Sequence, residues 1–278
     1  MTIRRDRPGG SRPAPQGAGR GRPGGFRPGE RRGGPGGPRG GPDDPVVLYG
    51  WHPVLQALGN AGRRLHRLVA TENGAARLTE ALGTLPIVPE IVRPSAINAL
   101  LGPDAVHQGL YLEVDPLAAP GLDDLPADAL LLALDQITDP HNVGAIVRTA
   151  AAFGVAGIVT TLRHSPSATG VLAKSASGGL EHVPLITVRN LAEALIELGE
   201  RGFTRIGLDS EAGTDLDAVG PRRPAIVVLG AEGKGLRQRT RDCCDILARI
   251  AFTGEIRSLN VSNAAAITLY ALSRPTQG

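Results

Sequence analysis

Leu130-Leu131-Leu132-Ala133-Leu134-Asp135-Gln136-Ile137-Thr138-Asp139-Pro140-His141-Asn142-Val143-Gly144-Ala145-Ile146-Val147-Arg148 decides the fold. Its first five residues are apolar without alternation, the pattern of a strand buried on both faces of a parallel sheet. A polar turn follows. Val143, Ile146, Val147, Ala150 and Phe153 then recur at helical spacing, with Asn142 as the expected N-cap and Gly154 as the stop. A strand feeding directly into a helix is the unit of an α/β fold.

The same alternation continues to the C-terminus. Gly157–Thr161, Pro184–Val188, Thr204–Leu208, Ala225–Leu229 and Ile246–Ile250 read as strands. Asn190-x-x-Glu193 resembles a capping box opening a helix to Glu200, and Val261–Leu272 reads as a last helix. Residues 128–278 therefore form an α/β unit with a parallel sheet. Upstream, residues 45–116 hold a smaller α/β unit. It opens with a helix at Tyr49-Gly50-Trp51-His52-Pro53-Val54, followed by a strand at His66–Thr71 and a helix from an Asn73 cap to Leu82. Pro86–Val92, a helix at Ser95–Leu101 and Leu110–Val114 complete it. Residues 117–127 are a linker rich in proline and acid.

Residues 1–44 are of a different kind. Ten arginines face four acids there, alongside 14 glycines and 8 prolines. Such a segment buries too little apolar surface to offset its ordering entropy, and it reads as a disordered tail. The tail carries +6 of a total of +3, so the body is −3. Long-range attraction for nucleic acid would come from the tail through phosphate contacts. The body would need local placements, for which Arg148 and the Arg63, Arg64, Arg67 cluster are candidates. No apolar run is long enough to span a bilayer, and no secretory h-region is present. Cys243 and Cys244 are the only cysteines and are adjacent. That excludes a disulfide framework and a Cys-ligated structural zinc, and fits reduced thiols in a cytoplasmic protein.

Three segments follow strand ends, where parallel sheets bind ligands. The first is Asp135–Arg148. The second is Val228-Leu229-Gly230-Ala231-Glu232-Gly233-Lys234-Gly235-Leu236. It is not a Walker loop, because position 228 is Val and Gly235 stands where Ser or Thr is needed. The third runs from Ile250 to Ser262. Ser258, Asn260, Ser262 and Asn263 crowd one helix start there, more caps than a helix needs, so some are expected to face a ligand.

Taken together, the three segments resemble the motifs of the SpoU/TrmH branch of the SPOUT RNA 2′-O-ribose methyltransferases. Asp139–Ala150 is similar to the first motif, Leu229–Leu236 to the second and Ser258-Leu259-Asn260-Val261-Ser262 to the third. Tyr49–Val54 and His107-Gln108-Gly109 resemble the N-terminal substrate-binding domain of the subgroup that methylates a guanosine in large-subunit ribosomal RNA. One departure stands out: Ala251-Phe252 replaces the usual Pro-Met beside the adenine pocket.

The resemblance implies a C-terminal trefoil knot, a homodimer with the site near its interface, S-adenosyl-L-methionine as co-substrate and no metal. It implies backbone-read cofactor binding at Gly230, Ile250 and Leu259. It also implies a catalytic set of Arg148, Asn142, Glu232, Ser258 and Asn260. Ser258 and Asn260 would orient Arg148 and the ribose, and Glu232 would be a hydrogen-bonding orienter. His141 reads as a turn residue rather than the base, and Lys234 as an RNA-backbone contact at most. Arginine normally stays protonated, so Arg148 suits a phosphate clamp or alkoxide stabiliser, with a general-base role left open. Asn142 and Arg148 are six residues apart, about 240° around a helix, and share no face. A site at a dimer interface would allow both to serve it. Two alternatives remain at this stage. One is transfer RNA as substrate, against which the N-terminal unit speaks. The other is a non-catalytic RNA-binding protein, against which the full motif set speaks.

Overall fold

The computed structural model describes residues 45–163 and 170–273. The Arg/Gly/Pro-rich tail and its expected disorder lie outside these residues. Within them the chain builds two sheets. The smaller has the order β1 (Val46–Tyr49), β4 (Leu110–Val114), β2 (Leu65–Ala70), β3 (Glu90–Ile91). The larger has the order β7 (Leu185–Val188), β6 (Gly157–Thr161), β5 (Leu130–Asp135), β10 (Ala225–Gly230), β8 (Thr204–Leu208), β11 (Ile246–Arg249), β9 (Thr214–Asp215). Every pairing in the larger sheet is parallel.

The uninterrupted apolar strands are explained by cores on both faces of this sheet. Leu130, Leu132 and Leu134 of β5 pack on one side with α4 (Pro140–Ala152), α5 (Gly170–Ala176), α7 (Leu216–Val219) and α9 (Val261–Ser273). Leu131 and Ala133 pack on the other with α6 (Leu191–Glu200) and Phe203. β10 divides its residues in the same way. After β11 the chain crosses past the loop following β10 and returns as α9 against α4. This is the region where the resemblance places the knot.

Two expected caps are corrected. Asp139, not Asn142, caps α4, accepting from the His141 backbone N–H at 2.9 Å, with Pro140 at the first helical position. Proline fixes its own φ for helix entry and keeps its predecessor extended, which sets the boundary there. Likewise Thr71, not Asn73, caps α2 (Glu72–Leu82), with Gly74 N–H donating to Thr71 Oγ1 at 3.1 Å. The strand of the Pro86–Val92 segment shrinks to Glu90–Ile91, and Val46–Tyr49 adds a strand before α1 (Trp51–Gly59).

The smaller unit docks on α5 and the short 3₁₀ turn Gly179–Glu181 through a buried ion pair. Arg63 Nη2 lies 2.9 Å from Glu181 Oε1, with both side chains 4% exposed. Asn60 Nδ2 donates to the same carboxylate at 2.8 Å, and Arg63 Nη1 to the Asp115 carbonyl at 2.7 Å. Its two sequence motifs also meet. Gly50 has no side chain to cap α1, and Gln108 Oε1 accepts from Trp51 N–H at 2.8 Å in its place.

Candidate active site

The site lies at the carboxyl ends of β8, β10 and β11. Gly230, Ile250 and Leu259 line one cleft of about 250 Å³, together with Leu208, Leu229 and Phe252. Strand ends supply its backbone edge. The loop after β10 folds back tightly, with Gly235 N–H donating to the Ala231 carbonyl at 2.9 Å and Gly233 and Gly235 at φ 73° and 64°. Gly230 sits inside this fold-back. A Cβ there would lie 2.2 Å from the Gly235 carbonyl carbon, closer than any real contact. Backbone on backbone leaves no easy relaxation. We expect Gly230→Ala to displace the loop and lower affinity for S-adenosylmethionine, the co-substrate the resemblance implies, by roughly tenfold or more, read by calorimetry. Unchanged affinity would show that the loop does not shape the cleft.

At the rim, three residues from three segments converge. Asn260 Nδ2 donates to Asn142 Oδ1 and to Glu232 Oε1, each at 2.9 Å. Glu232 Oε1 also accepts from Val261 N–H at 3.1 Å, so a carboxylate from the β10 loop caps α9. Asn260 Oδ1 accepts from the Ser262 N–H at 2.8 Å and its hydroxyl at 2.6 Å. Both ends of the Asn260 amide are thereby engaged and its plane is fixed. Ser258 is exposed and lines the cleft.

Arg148 is not part of this cluster. It is exposed on α4, with no hydrogen bond or ion pair to its side chain among the described residues. Within the chain Asn260 is bonded to Asn142 and Glu232 and not to Arg148. Six residues further along the helix place Arg148 about 9 Å from Asn142 along the axis. His141 is in the first turn of α4, its Nδ1 3.3 Å from Ser175 Oγ. Phe252, the departure from the usual Pro-Met, is a wall of the cleft.

The Arg63, Arg64, Arg67 cluster does not form a free basic patch. Arg63 is buried against Glu181, Arg64 lies 3.7 Å from Asp115, and Arg67 forks onto Glu90 at 2.8 and 2.9 Å. That fork holds the Glu90 carboxyl below its usual range.

One structural pair carries no sequence signal. Asp135 ends β5 with its side chain fully buried, and it accepts from Arg237 Nε at 2.7 Å and from the Arg237 N–H at 2.9 Å. This fixes the far end of the glycine loop to the sheet. Cys243 and Cys244 are free and half-buried, and burial pushes the Cys244 thiol up to about 12, which keeps it protonated. Among the described residues no cluster of His, Cys, Asp or Glu could hold a metal ion, and no helix is long and apolar enough to cross a membrane.

A glycine-looped cleft beyond the strand ends of a parallel sheet, with a carboxamide–carboxylate cluster at its rim, lies where such sheets bind ligands. The family model of the SpoU rRNA methylases matches residues 129–270, and that of the RNA 2′-O ribose methyltransferase substrate-binding domain matches residues 47–120. The chain belongs to the SpoU rRNA methylase family. It is 37% identical over 225 residues to the 23S rRNA (guanosine-2′-O-)-methyltransferase RlmB of Bordetella pertussis, covering 81% of this chain and 83% of that protein. It is 36% identical over 248 residues to an uncharacterized tRNA/rRNA methyltransferase of Mycobacterium avium, covering 85% of this chain and 79% of that protein. In fold it is similar to the SpoU methyltransferase AviRb of Streptomyces viridochromogenes in complex with AdoMet. There the TM-score is 0.71 at 24% identity, covering 83% of this chain and 89% of that one.

Proposed function

We propose that this protein transfers a methyl group from S-adenosylmethionine to the ribose 2′-hydroxyl of a guanosine in 23S ribosomal RNA, acting in the cytoplasm as a homodimer. The observation that carries the reading is the meeting of Asn142, Glu232 and Asn260 on the rim of the cleft lined by Gly230, Ile250 and Leu259. The named activity of the Bordetella relative supports the substrate.

The cleft suits the methyl donor. Apolar side chains at Leu208, Leu229 and Phe252 can flank an adenine, and the backbone at the strand ends Gly230 and Ile250 and at Leu259 before α9 can read its polar edge. The bound donor supplies a methyl group already activated on a sulfonium. What this chain must add is position and relief of charge at a weakly acidic hydroxyl. Asn142, held by Asn260, presents its amide to the ribose, and Glu232 keeps Asn260 in place. Ser258 contacts the ribose from the cleft wall. Arg148 clamps the target phosphate with its fork and stabilises the negative charge that develops on the 2′-oxygen as the methyl group arrives and the hydroxyl proton passes to solvent water. Since Arg148 stands off the cluster of its own chain, we assign it to the cleft of the second subunit.

The test is incubation with methyl-labelled S-adenosylmethionine and separated ribosomal and transfer RNAs, followed by mapping of the labelled ribose. The expected result is label on one guanosine of 23S rRNA. Label on transfer RNA alone would overturn the substrate.

A further inference from the structure

We propose that an arginine-lined pocket beyond β6 and β7 is a second RNA site, one that grips phosphodiesters of the strand flanking the target nucleotide. The proposal rests on the RNA-methylating function above and gives it an anchoring surface. The pocket measures about 540 Å³ and is lined by Arg163, Arg189, Arg237 and Arg239, with Asn190 and Thr240 among its polar groups. Among the described residues no acid lines it. The Arg163 and Arg189 side chains have no hydrogen bond or ion pair among the described residues. Arg239 is 69% exposed, and its contact with Glu193 is a loose 3.8 Å. Glu193 is itself held by Asn190 Nδ2 at 2.6 Å. Arg237 is anchored by Asp135, yet its side chain is 42% exposed.

Asp135 pairs Arg237 and Glu193 faces Arg239, so the unbalanced charge is that of Arg163 and Arg189, which repel one another unless an anion sits between them. The folded body carries no background positive charge that would make such clustering ordinary. One wall is the first turn of α6, which Asn190 caps through the Ala192 N–H and whose Glu193 is drawn onto the Asn190 amide. Planar forks match phosphate oxygens two at a time.

Position ties the pocket to the reaction. It opens on the same carboxyl edge of the sheet as the donor cleft. Only β5 separates β6 from β10, so the nearest bordering strands are about 10 Å apart, with the pocket on the α6 face of the sheet and the cleft on the α9 face. The segment after β10 lines both, with residues 230–235 at the cleft and Arg237, Arg239 and Thr240 at the pocket. A single RNA strand crossing this edge meets both. The exposed arginines thus replace the Arg63, Arg64, Arg67 cluster as the body's phosphate contacts.

The experiment compares the full-length protein with a triple variant, Arg163→Ala, Arg189→Ala and Arg239→Ala, sparing Arg237 because it is structural. Affinity for a labelled 23S rRNA transcript is measured by fluorescence anisotropy across salt concentrations, and KM for the same RNA in the methylation assay. The expected result is a rise of roughly tenfold in Kd and KM, and a log–log salt slope shallower by about 2, with S-adenosylmethionine affinity unchanged. Unchanged Kd and slope would overturn the site. An equal effect from Arg222→Ala with Arg223→Ala, at the opposite sheet edge, would reduce it to bulk charge and overturn it too. Inorganic pyrophosphate is the probe for a free anion. Micromolar binding lost in the triple variant, with RNA affinity unchanged, would replace the RNA site by a small-anion site. If the wild type binds the transcript through these arginines but methylates no 23S rRNA, the functional reading fails while the site stands.

Discussion

Arg148→Ala lowers the rate of methyl transfer by about a hundredfold or more and leaves the protein folded. The size is the one expected of the proposed role, a charged donor aimed at a developing oxyanion. The sparing of stability follows from the structure, where the side chain is exposed and makes no hydrogen bond or ion pair among the described residues. Its loss should stay within about 0.5 kcal/mol. Arg148→Lys keeps the charge but loses the fork, and should recover only part of the rate. Incorporation of labelled methyl groups measures this, and wild-type turnover in the alanine variant would remove Arg148 from the mechanism. The same variant tests its assignment across the dimer. Mixed with Asn260→Ala, it should restore about a quarter of wild-type activity, because each heterodimer then contains one site lacking neither residue. If both residues served the cleft of their own chain, the mixture would stay inactive.

Arg237→Ala should be the most destabilising single change near the site. Asp135 is fully buried, and Arg237 supplies both its side-chain and its backbone donor. Removing the guanidinium leaves a buried carboxylate with one remaining bond, at a cost of about 3 kcal/mol. For a chain of this size the midpoint of thermal unfolding falls by on the order of 10 °C. Circular dichroism on heating reads the shift. Adding Asp135→Asn should recover part of it by removing the unpaired charge. An unchanged midpoint in Arg237→Ala would mean that the pair contributes nothing.

The two outcomes bear on how much was legible in the sequence. β4, β6 and β8 occupy the spans their apolar patterns predict, because a strand buried on both faces, or alternating cleanly, leaves a local record. The caps at Asp139 and Thr71 were written locally too. Pro140 marked the first, but Asn142 is also a good capping residue and competed for the position. The edge strand β1 was hidden, since four residues beside a Gly-Trp helix start give no period to read.

What the sequence determined by itself was the alternation that demands a parallel sheet, and the residues offered at three strand ends. Their types alone limit the chemistry, with glycines where backbone must approach and amides and a carboxylate where hydroxyls must be held. Tertiary structure alone decided which of them meet. It joined Asn142, Glu232 and Asn260 through a single amide and left Arg148 apart. It spent Arg63 and Arg67 on ion pairs and left Arg163 and Arg189 without one among the described residues, around a second pocket. The physical reason is that a charge has no fixed meaning along a chain. Whether an arginine is a strut or a ligand depends on whether an acid from a distant segment reaches it first, and only the packed fold sets those distances.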